Sequence, residues 1–268
     1  RLGHDLLVRL PRQPGGGATV EKERRWSPEV ASHLPVAVPE IIAIGDPGSD
    51  YDERWSIVRW LPGNLPRACE LDAPADPARS ELAVDLAKFI LALRATPVPE
   101  AAVADPSLRS YRGRPLVEFD RTFRSNVSAC RAIEGLHLDL DAALARGEKA
   151  LESPGASGAS NRTWYHSDLV AENLLLTHGR LCAVLDFGGL SIGDPAIDLH
   201  GGWELFDREA LNVFRRTLNV SESEWLRGRA WALAIALGCF SYYWGKMPER
   251  CRDRLIMARS VLMDANNS

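Results

Sequence analysis

The chain has 268 residues, 46% hydrophobic and 25% charged, an ordinary soluble globular composition with length enough for one two-lobed unit or two close-coupled domains. A net charge of −4 gives no basis for a nucleic-acid partner, and the most apolar stretch, Trp231 to Phe240, falls well short of the ~20 residues that a membrane span needs. Cys69, Cys130, Cys182, Cys239 and Cys251 form no C-x-x-C pair and no metal spacing, which fits reduced thiols in a cytoplasmic protein.

The opening residues carry no long apolar region, so no signal peptide is read there. They lack an initial Met and start as if inside a strand hairpin, so the natural N-terminus is expected upstream. Leu6 to Leu10 (L-L-V-R-L) is β-prone and is ended by Pro11. After the turn-rich P-R-Q-P-G-G-G stretch, a helix is expected from about Thr19 to Leu34, followed by strands at E-I-I-A-I-G and W-S-I-V-R-W-L. L-P-G-N-L-P-R-A after this marks the boundary between a small strand-rich N-lobe, residues 1–62, and a mostly helical C-lobe, residues 63–268. Asp76–Pro77 reads as N-cap and first turn of a helix carrying Leu82, Leu86, Phe89, Ile90 and Leu93, stopped by Pro97. A further helix is expected over Ala129–Leu151, then a flexible link A-S-G-A-S-N, then a β-hairpin at L-L-L-T-H-G-R-L-C-A-V, with helices after Asp194.

Around that hairpin lie the chemically suggestive residues. His166, Asp168 and Asn173 of W-Y-H-S-D-L-V-A-E-N precede it, and Asp186 of L-D-F-G-G follows it. A hairpin returns the chain to its starting end, so Asn173 and Asp186 are expected to meet. Phosphoryl transfer needs a carboxylate to orient and deprotonate the attacking hydroxyl, and oxygen ligands that hold Mg²⁺ on a nucleoside triphosphate. H-x-D-L-x-x-x-N followed by D-F-G is the protein-kinase arrangement of these parts. Each pattern alone is a common turn; their order around a hairpin is what makes the signal specific.

With these segments the chain resembles the aminoglycoside phosphotransferases and their relatives, small-molecule kinases with a protein-kinase-like fold, over nearly its whole length. H-S-D-L-V-A-E-N is similar to the family's catalytic loop, V-L-D-F-G-G-L-S-I-G-D-P-A-I-D-L to its metal-binding segment, and W-S-I-V-R-W-L-P-G to the strand and hinge that meet adenine. Y-R-G-R-P-L (111–116) and R-G-R-A-W-A-L-A-I-A-L (227–237) resemble one poorly characterised bacterial branch. The resemblance implies an α/β (α+β) two-lobed fold, Asp168 as catalytic base, and Asn173 and Asp186 as magnesium ligands. It further implies that His166 and Asp198 support the loop and that backbone around Arg59, Trp60 and Leu61 meets the adenine of ATP or its counterpart in GTP. Trp60 either stacks on the base or belongs to the core. Arg9 stands where the family's phosphate-holding lysine would be, with Glu23 as its partner and Glu21 as second choice; otherwise Arg9 is an exposed strand residue. The first strands and the glycine-rich nucleotide loop would lie before residue 1.

Three departures stand out: Ser167 where glycine is common, Ala171–Glu172 where proline–glycine is common, and Arg9 for lysine, which is not a neutral exchange. Glu172 adds a negative charge beside the metal position. The activity implied is transfer of a γ-phosphoryl group to the hydroxyl of a small-molecule acceptor, antibiotics among the candidates. A catalytically impaired nucleotide-binding protein is the alternative. A protein kinase ranks last, because Asp194 of G-D-P-A-I-D-L arrives eight residues after Asp186 and leaves almost no activation loop. The acceptor pocket is expected mostly from helices after Asp198, where eight acids face ten bases, so a neutral or weakly charged acceptor is expected over a polycationic aminoglycoside. Trp203, Trp231, Tyr242, Tyr243 and Trp244 either line that pocket or pack in the core. Oligomeric state is not readable.

Overall fold

The computed structural model describes residues 1–11, 15–48, 50–109, 112–158 and 163–265. The expected turn at 11–17, the link at 156–161 and Tyr111 of Y-R-G-R-P-L therefore lie partly or wholly outside the described residues.

The N-terminal part holds β1 (Leu6–Arg9), α1 (Gly17–Ala31), β2 (Ile41–Gly45) and β3 (Trp55–Arg59). The strands form an antiparallel sheet in the order β1–β3–β2, with a register that sets Arg9 opposite Ser56. Helix α1 starts two residues before the expected Thr19. Its first amides reach a carboxylate, Gly15 and Gly17 both donating to Glu53, the latter at 2.8 Å, which satisfies otherwise unpaired N–H groups at the positive end of the helix.

Helix α2 (Pro77–Ala95) begins as the sequence suggests, with Asp76 accepting from the Ala78 amide at 2.9 Å. Its Leu82, Leu86, Phe89, Ile90 and Leu93 are buried, each contributing roughly 1.5–3 kcal/mol of apolar burial. After the short α3 (Glu100–Ala104), the structure departs from expectation. Instead of one helix over Ala129–Leu151 there are two, α4 (Leu116–Arg131) and α5 (Leu140–Leu151). The break between them takes Gly135 and His137 into left-handed backbone, and Asp139 caps the second helix through the Ala142 amide.

Strand β4 (Thr163–Tyr165) pairs with β7 (Ser191–Gly193), and β5 (Leu174–Thr177) with β6 (Arg180–Val184). The β5–β6 turn has positive φ at both His178 and Gly179, the two-residue geometry whose twist matches paired strands. The hairpin is flanked by Ala37 along β6 and Asn64 along β5, so segments on both sides of β2–β3 grip it. Helices α6 (Gly202–Leu205), α7 (Arg208–Leu218), α8 (Glu222–Tyr243) and α9 (Pro248–Ala265) complete the chain. α7 packs on α2, while α8 packs on α4, α5, α9 and the Pro195–Leu199 turn. Gly228 permits that last contact, since a Cβ there would come within 2.8 Å of Leu199. Among the described residues no helix is long and apolar enough to cross a membrane.

Candidate active site

The β5–β6 register pairs Leu174 with Val184, and the Leu185 amide donates to the Asn173 carbonyl at 2.8 Å. Asn173 and Asp186 are thereby held at the same end of the hairpin. Asp186 takes left-handed backbone (φ 57°, ψ 66°), and its carboxylate is 49% exposed. Asn173 donates through Nδ2 to both Oδ2 and the carbonyl of Asp168, each at 2.9 Å, which leaves its Oδ1 as the acceptor for another ligand. An amide oxygen beside a carboxylate is a hard-oxygen pair that suits Mg²⁺, an ion that keeps waters and takes phosphate oxygens to complete its shell. No group of three or more His, Cys, Asp or Glu that could hold a metal ion occurs among the described residues.

The loop bearing Asp168 is restrained from behind. Asp198, fully buried, accepts from the His166 amide at 2.9 Å and the Ser167 amide at 2.7 Å. His166 is also fully buried. Its Nε2 lies 2.9 Å from the Leu185 carbonyl and must donate there, while Nδ1 accepts from the Asp168 amide at 3.3 Å. The ring sits edge-on to Phe89 and Phe187. Ser167 adopts φ 73°, a left-handed backbone that costs a non-glycine residue roughly 1–2 kcal/mol. Its hydroxyl offsets part of that by donating to the Gly189 carbonyl at 3.1 Å. Farther along, the Ala171 amide donates to the buried Glu204 at 2.8 Å. Glu172, with a side chain 37% exposed, is tied down by two arginines. It binds Arg250 at 2.8 Å and Arg254 at 3.0 Å, and Arg254 also holds Glu204.

Asp168 itself is gripped at both oxygens, Oδ2 by Asn173 and Oδ1 by Arg112 Nη1 at 2.6 Å. Burial works against its charge, but the Arg112 and Arg254 guanidiniums outweigh burial and hold its carboxyl well below the usual carboxylate range. Asp168 therefore faces its surroundings as an anion. A cavity of about 760 Å³ opens beside it, walled by Phe119 and Asn126 of α4, Ile235 and Tyr242 of α8, and Arg250 of α9. Helices after Asp198 supply one wall of this cavity, and α4 with the residues before it supplies the facing wall. Trp203 and Trp231 belong to the core, being at most 1% exposed, though Trp231 also edges the cavity.

On the other side of Asp168, Arg9 bonds Glu23 at 2.8 Å and Asp186 at 3.3 Å. Glu21 turns away to Arg54. Burial pushes the Glu23 carboxyl up despite Arg9, and Glu23 Oε1 has no partner among the described residues. Arg9, Thr19, Glu23, Asp186 and Arg112 line a cleft of about 530 Å³. Arg59, Trp60 and Leu61 do not line it. The Arg59 and Trp60 amides are already bonded, to the Glu40 and Asp5 carbonyls at 2.9 and 2.7 Å. Trp60 is 37% exposed beneath the Arg1 guanidinium, so it is not core.

Arg112, Glu204 and Arg254 were not singled out from sequence. Only Arg112 had a local signal, its place in Y-R-G-R-P-L beside Gly113.

A family model described as the phosphotransferase enzyme family matches residues 1–232. No curated protein matches the sequence. Among solved structures, the ADP-bound aminoglycoside phosphotransferase APH(2'')-Ib is 15% identical with a TM-score of 0.61, over 97% of this chain and 88% of that one. The GDP and kanamycin complex of APH(2'')-IIia is 20% identical with a TM-score of 0.65, over 98% and 88%. Macrolide 2'-phosphotransferase MphH from Brachybacterium faecium, solved as the apoenzyme, is 21% identical with a TM-score of 0.60, over 94% and 84%. At these identities the likeness shows a shared fold.

Proposed function

The chain belongs to the phosphotransferase enzyme family, and from that membership we propose that it moves the γ-phosphoryl of ATP or GTP to a hydroxyl of a neutral or weakly charged small molecule. Nucleotide would lie between an N-lobe of residues 1–62 and a C-lobe of residues 63–268. The observation that carries the reading is that the fixed carboxylate of Asp168 opens on a roomy cavity on one side while Asn173 and Asp186 converge on the other.

Asp168 is then the group that orients the acceptor hydroxyl and takes its proton. Arg9 holds nucleotide phosphate, steadied by Glu23. Asn173 Oδ1 and Asp186 would hold Mg²⁺, which when bound neutralises charge on the phosphates. His166 and Asp198 keep the loop in shape, and backbone of Arg59, Trp60 and Leu61 edges the base. For the last role the Arg59 and Trp60 amides are already bonded, to the Glu40 and Asp5 carbonyls.

The acceptor class follows from charge. The cavity lining carries Arg112, Arg114, Arg250 and Arg254 against Glu118, Asp168 and Glu172. Each of those carboxylates already faces an arginine, Glu118 at 3.9 Å and the others at 2.8 Å or less. A polycationic acceptor would have to displace guanidiniums to find a counter-charge. The test is turnover by the purified full chain with Mg²⁺ and ATP or GTP, against kanamycin, macrolides and uncharged hydroxyl metabolites. Phosphorylation of neutral or singly charged compounds is expected. A kcat/KM for kanamycin near ~10⁴ M⁻¹s⁻¹, the low end of ordinary enzymes, would overturn the acceptor class. Nucleotide binding without transfer to any of them would favour a binding protein.

A further inference from the structure

Among the described residues, Arg112 is the one charged side chain that lines both the cleft of Arg9 and Asp186 and the cavity beside Asp168. A phosphoryl group passing from nucleotide to acceptor must cross that boundary. Arg112 also occupies the oxygen that the chemistry needs. Asn173 holds Oδ2 of Asp168, so Oδ1 is left for the acceptor hydroxyl, and Arg112 sits on it at 2.6 Å. A carboxylate oxygen can accept two hydrogen bonds, so an arriving hydroxyl would share Oδ1 with the guanidinium or displace it.

The surroundings fix the backbone of Arg112, while its Nη1 is shared between Asp168 Oδ1 and the Ser167 carbonyl, the latter at 3.2 Å. The Tyr165 hydroxyl donates to the Arg112 carbonyl at 2.6 Å, and the Asp194 amide donates to the Gly113 carbonyl at 3.0 Å. Gly113 has φ 76° and lies so close to the Tyr165 ring that a Cβ would come within 2.4 Å of it. The side chain beyond this anchor is 27% exposed. Arg254, by contrast, is immobilised between Glu172 and Glu204 with a side chain 6% exposed, and Arg9 approaches from β1 on the nucleotide side.

We propose that Arg112 is an arginine supplied in cis to the transition state: it leaves Asp168 Oδ1 as the acceptor hydroxyl arrives and binds the phosphoryl group in transit. The proposal rests on the phosphotransferase reading. In the step, a lone pair of the acceptor oxygen forms the new bond to γ-phosphorus while the bond from γ-phosphorus to the β-phosphate oxygen breaks. That electron pair leaves on the nucleoside diphosphate, and the hydroxyl proton passes to Asp168. Charge spreads over the equatorial oxygens of the moving group, which a guanidinium fork matches in geometry as well as in sign. The same guanidinium thus covers the base when no acceptor is present and stabilises the transfer when one is.

The test reads transition-state binding without needing the acceptor. Calorimetry measures Mg·ADP and Mg·GDP affinity of the full chain, with and without aluminium fluoride as a mimic of the phosphoryl in transit. The wild type is expected to bind diphosphate and to bind it at least about 10²-fold more tightly with aluminium fluoride, as transition-state analogues do. Arg112→Gln should keep its diphosphate affinity within about threefold and lose most of that tightening, because the fork acts on the transferred group alone. Arg112→Lys, which keeps a charge near Asp168 but not the fork, should retain only part of it and serves alone if the first variant does not fold. Guanidinium added to Arg112→Ala should restore part of the tightening. Full tightening in Arg112→Gln, or wild-type diphosphate binding with no tightening, overturns the proposal and leaves the phosphotransferase reading standing. Failure of the wild type to bind either diphosphate removes both.

Discussion

The catalytic loop is held from behind by Asp198 and Glu204, both 0% exposed, whereas the phosphate side depends on Arg9 and Asp186, whose side chains are 30% and 49% exposed. The buried carboxylates have backbone amides as partners, fixed before any ligand arrives; preorganised groups of this sort are worth most in catalysis and are costly to disturb. The Arg9–Asp186 pair is exposed enough to add little to folding, whereas Glu23, the other partner of Arg9, is 5% exposed. One side of the site is fixed in the interior, and the other is open to solvent; on the proposed function, that open side is the one that would exchange its partners for phosphate and metal.

The strongest way to probe the fixed side is through the group it presents. Asp168→Asn keeps shape and removes the base, so kcat should fall by about 10²-fold or more while nucleotide affinity stays close to wild type. Turnover near wild type would take the base role away from Asp168. Asp198→Ala should next cost stability rather than chemistry. It strands the buried His166 and Ser167 amides, at about 1–3 kcal/mol each, so the Tm should drop on the order of 10 °C. Arg9→Ala draws the contrast: it removes the partner of Glu23, whose side chain is 5% exposed, but burial already favours the neutral Glu23 carboxyl, so the Tm should fall by less than in Asp198→Ala while the nucleotide KM rises on the order of tenfold. An Arg9→Ala protein that melts as early as Asp198→Ala would erase the distinction between the two sides. So would nucleotide binding by the wild type that is equally tight with and without Mg²⁺.

The smallest effect is one of pH. Burial drives the His200 imidazole down to about 3, and among the described residues its Nε2 has no hydrogen-bond partner. The unfolded chain, with His200 near its ordinary 6.5, therefore binds the extra proton between these values, so stability rises with pH across that window and falls as pH is lowered through it. The contribution is at most about 1.4 kcal/mol per pH unit. Denaturant unfolding between pH 4 and 6 should show a shallower slope in His200→Gln, and an unchanged slope would remove His200 from the account.

What the sequence disclosed was local. The Asp76 cap, the apolar face of α2 and the hairpin with its His178–Gly179 turn are written within a few neighbouring residues, as is the order of His166, Asp168, Asn173 and Asp186. The break between α4 and α5 was missed because Ala142, Ala143 and Leu144 continue a helical pattern on the far side of it, and an isolated Gly135 inside such a pattern is tolerated often enough to be read through. The clasps on the loop were invisible for another reason. Arg112 reaches Asp168 across 56 positions and Arg254 reaches Glu172 across 82, and an ion pair leaves no periodicity in either segment. With 28 arginines in the chain, nothing local marked the few that matter.

The grip of Arg250 and Arg254 on Glu172 also bears on how such a chain can diverge. The family model ends at residue 232, so both arginines come from the tail beyond it, while Glu172 lies inside the matched region where the resembling family commonly has glycine. The three residues form one ion-pair cluster. Losing Glu172 would remove one of the carboxylates around Arg254, and losing Arg254 would leave the buried Glu204 without its cation, held by the Ala171 amide, which is destabilising. A graft that exchanges α9 for that of a relative must therefore carry position 172 with it.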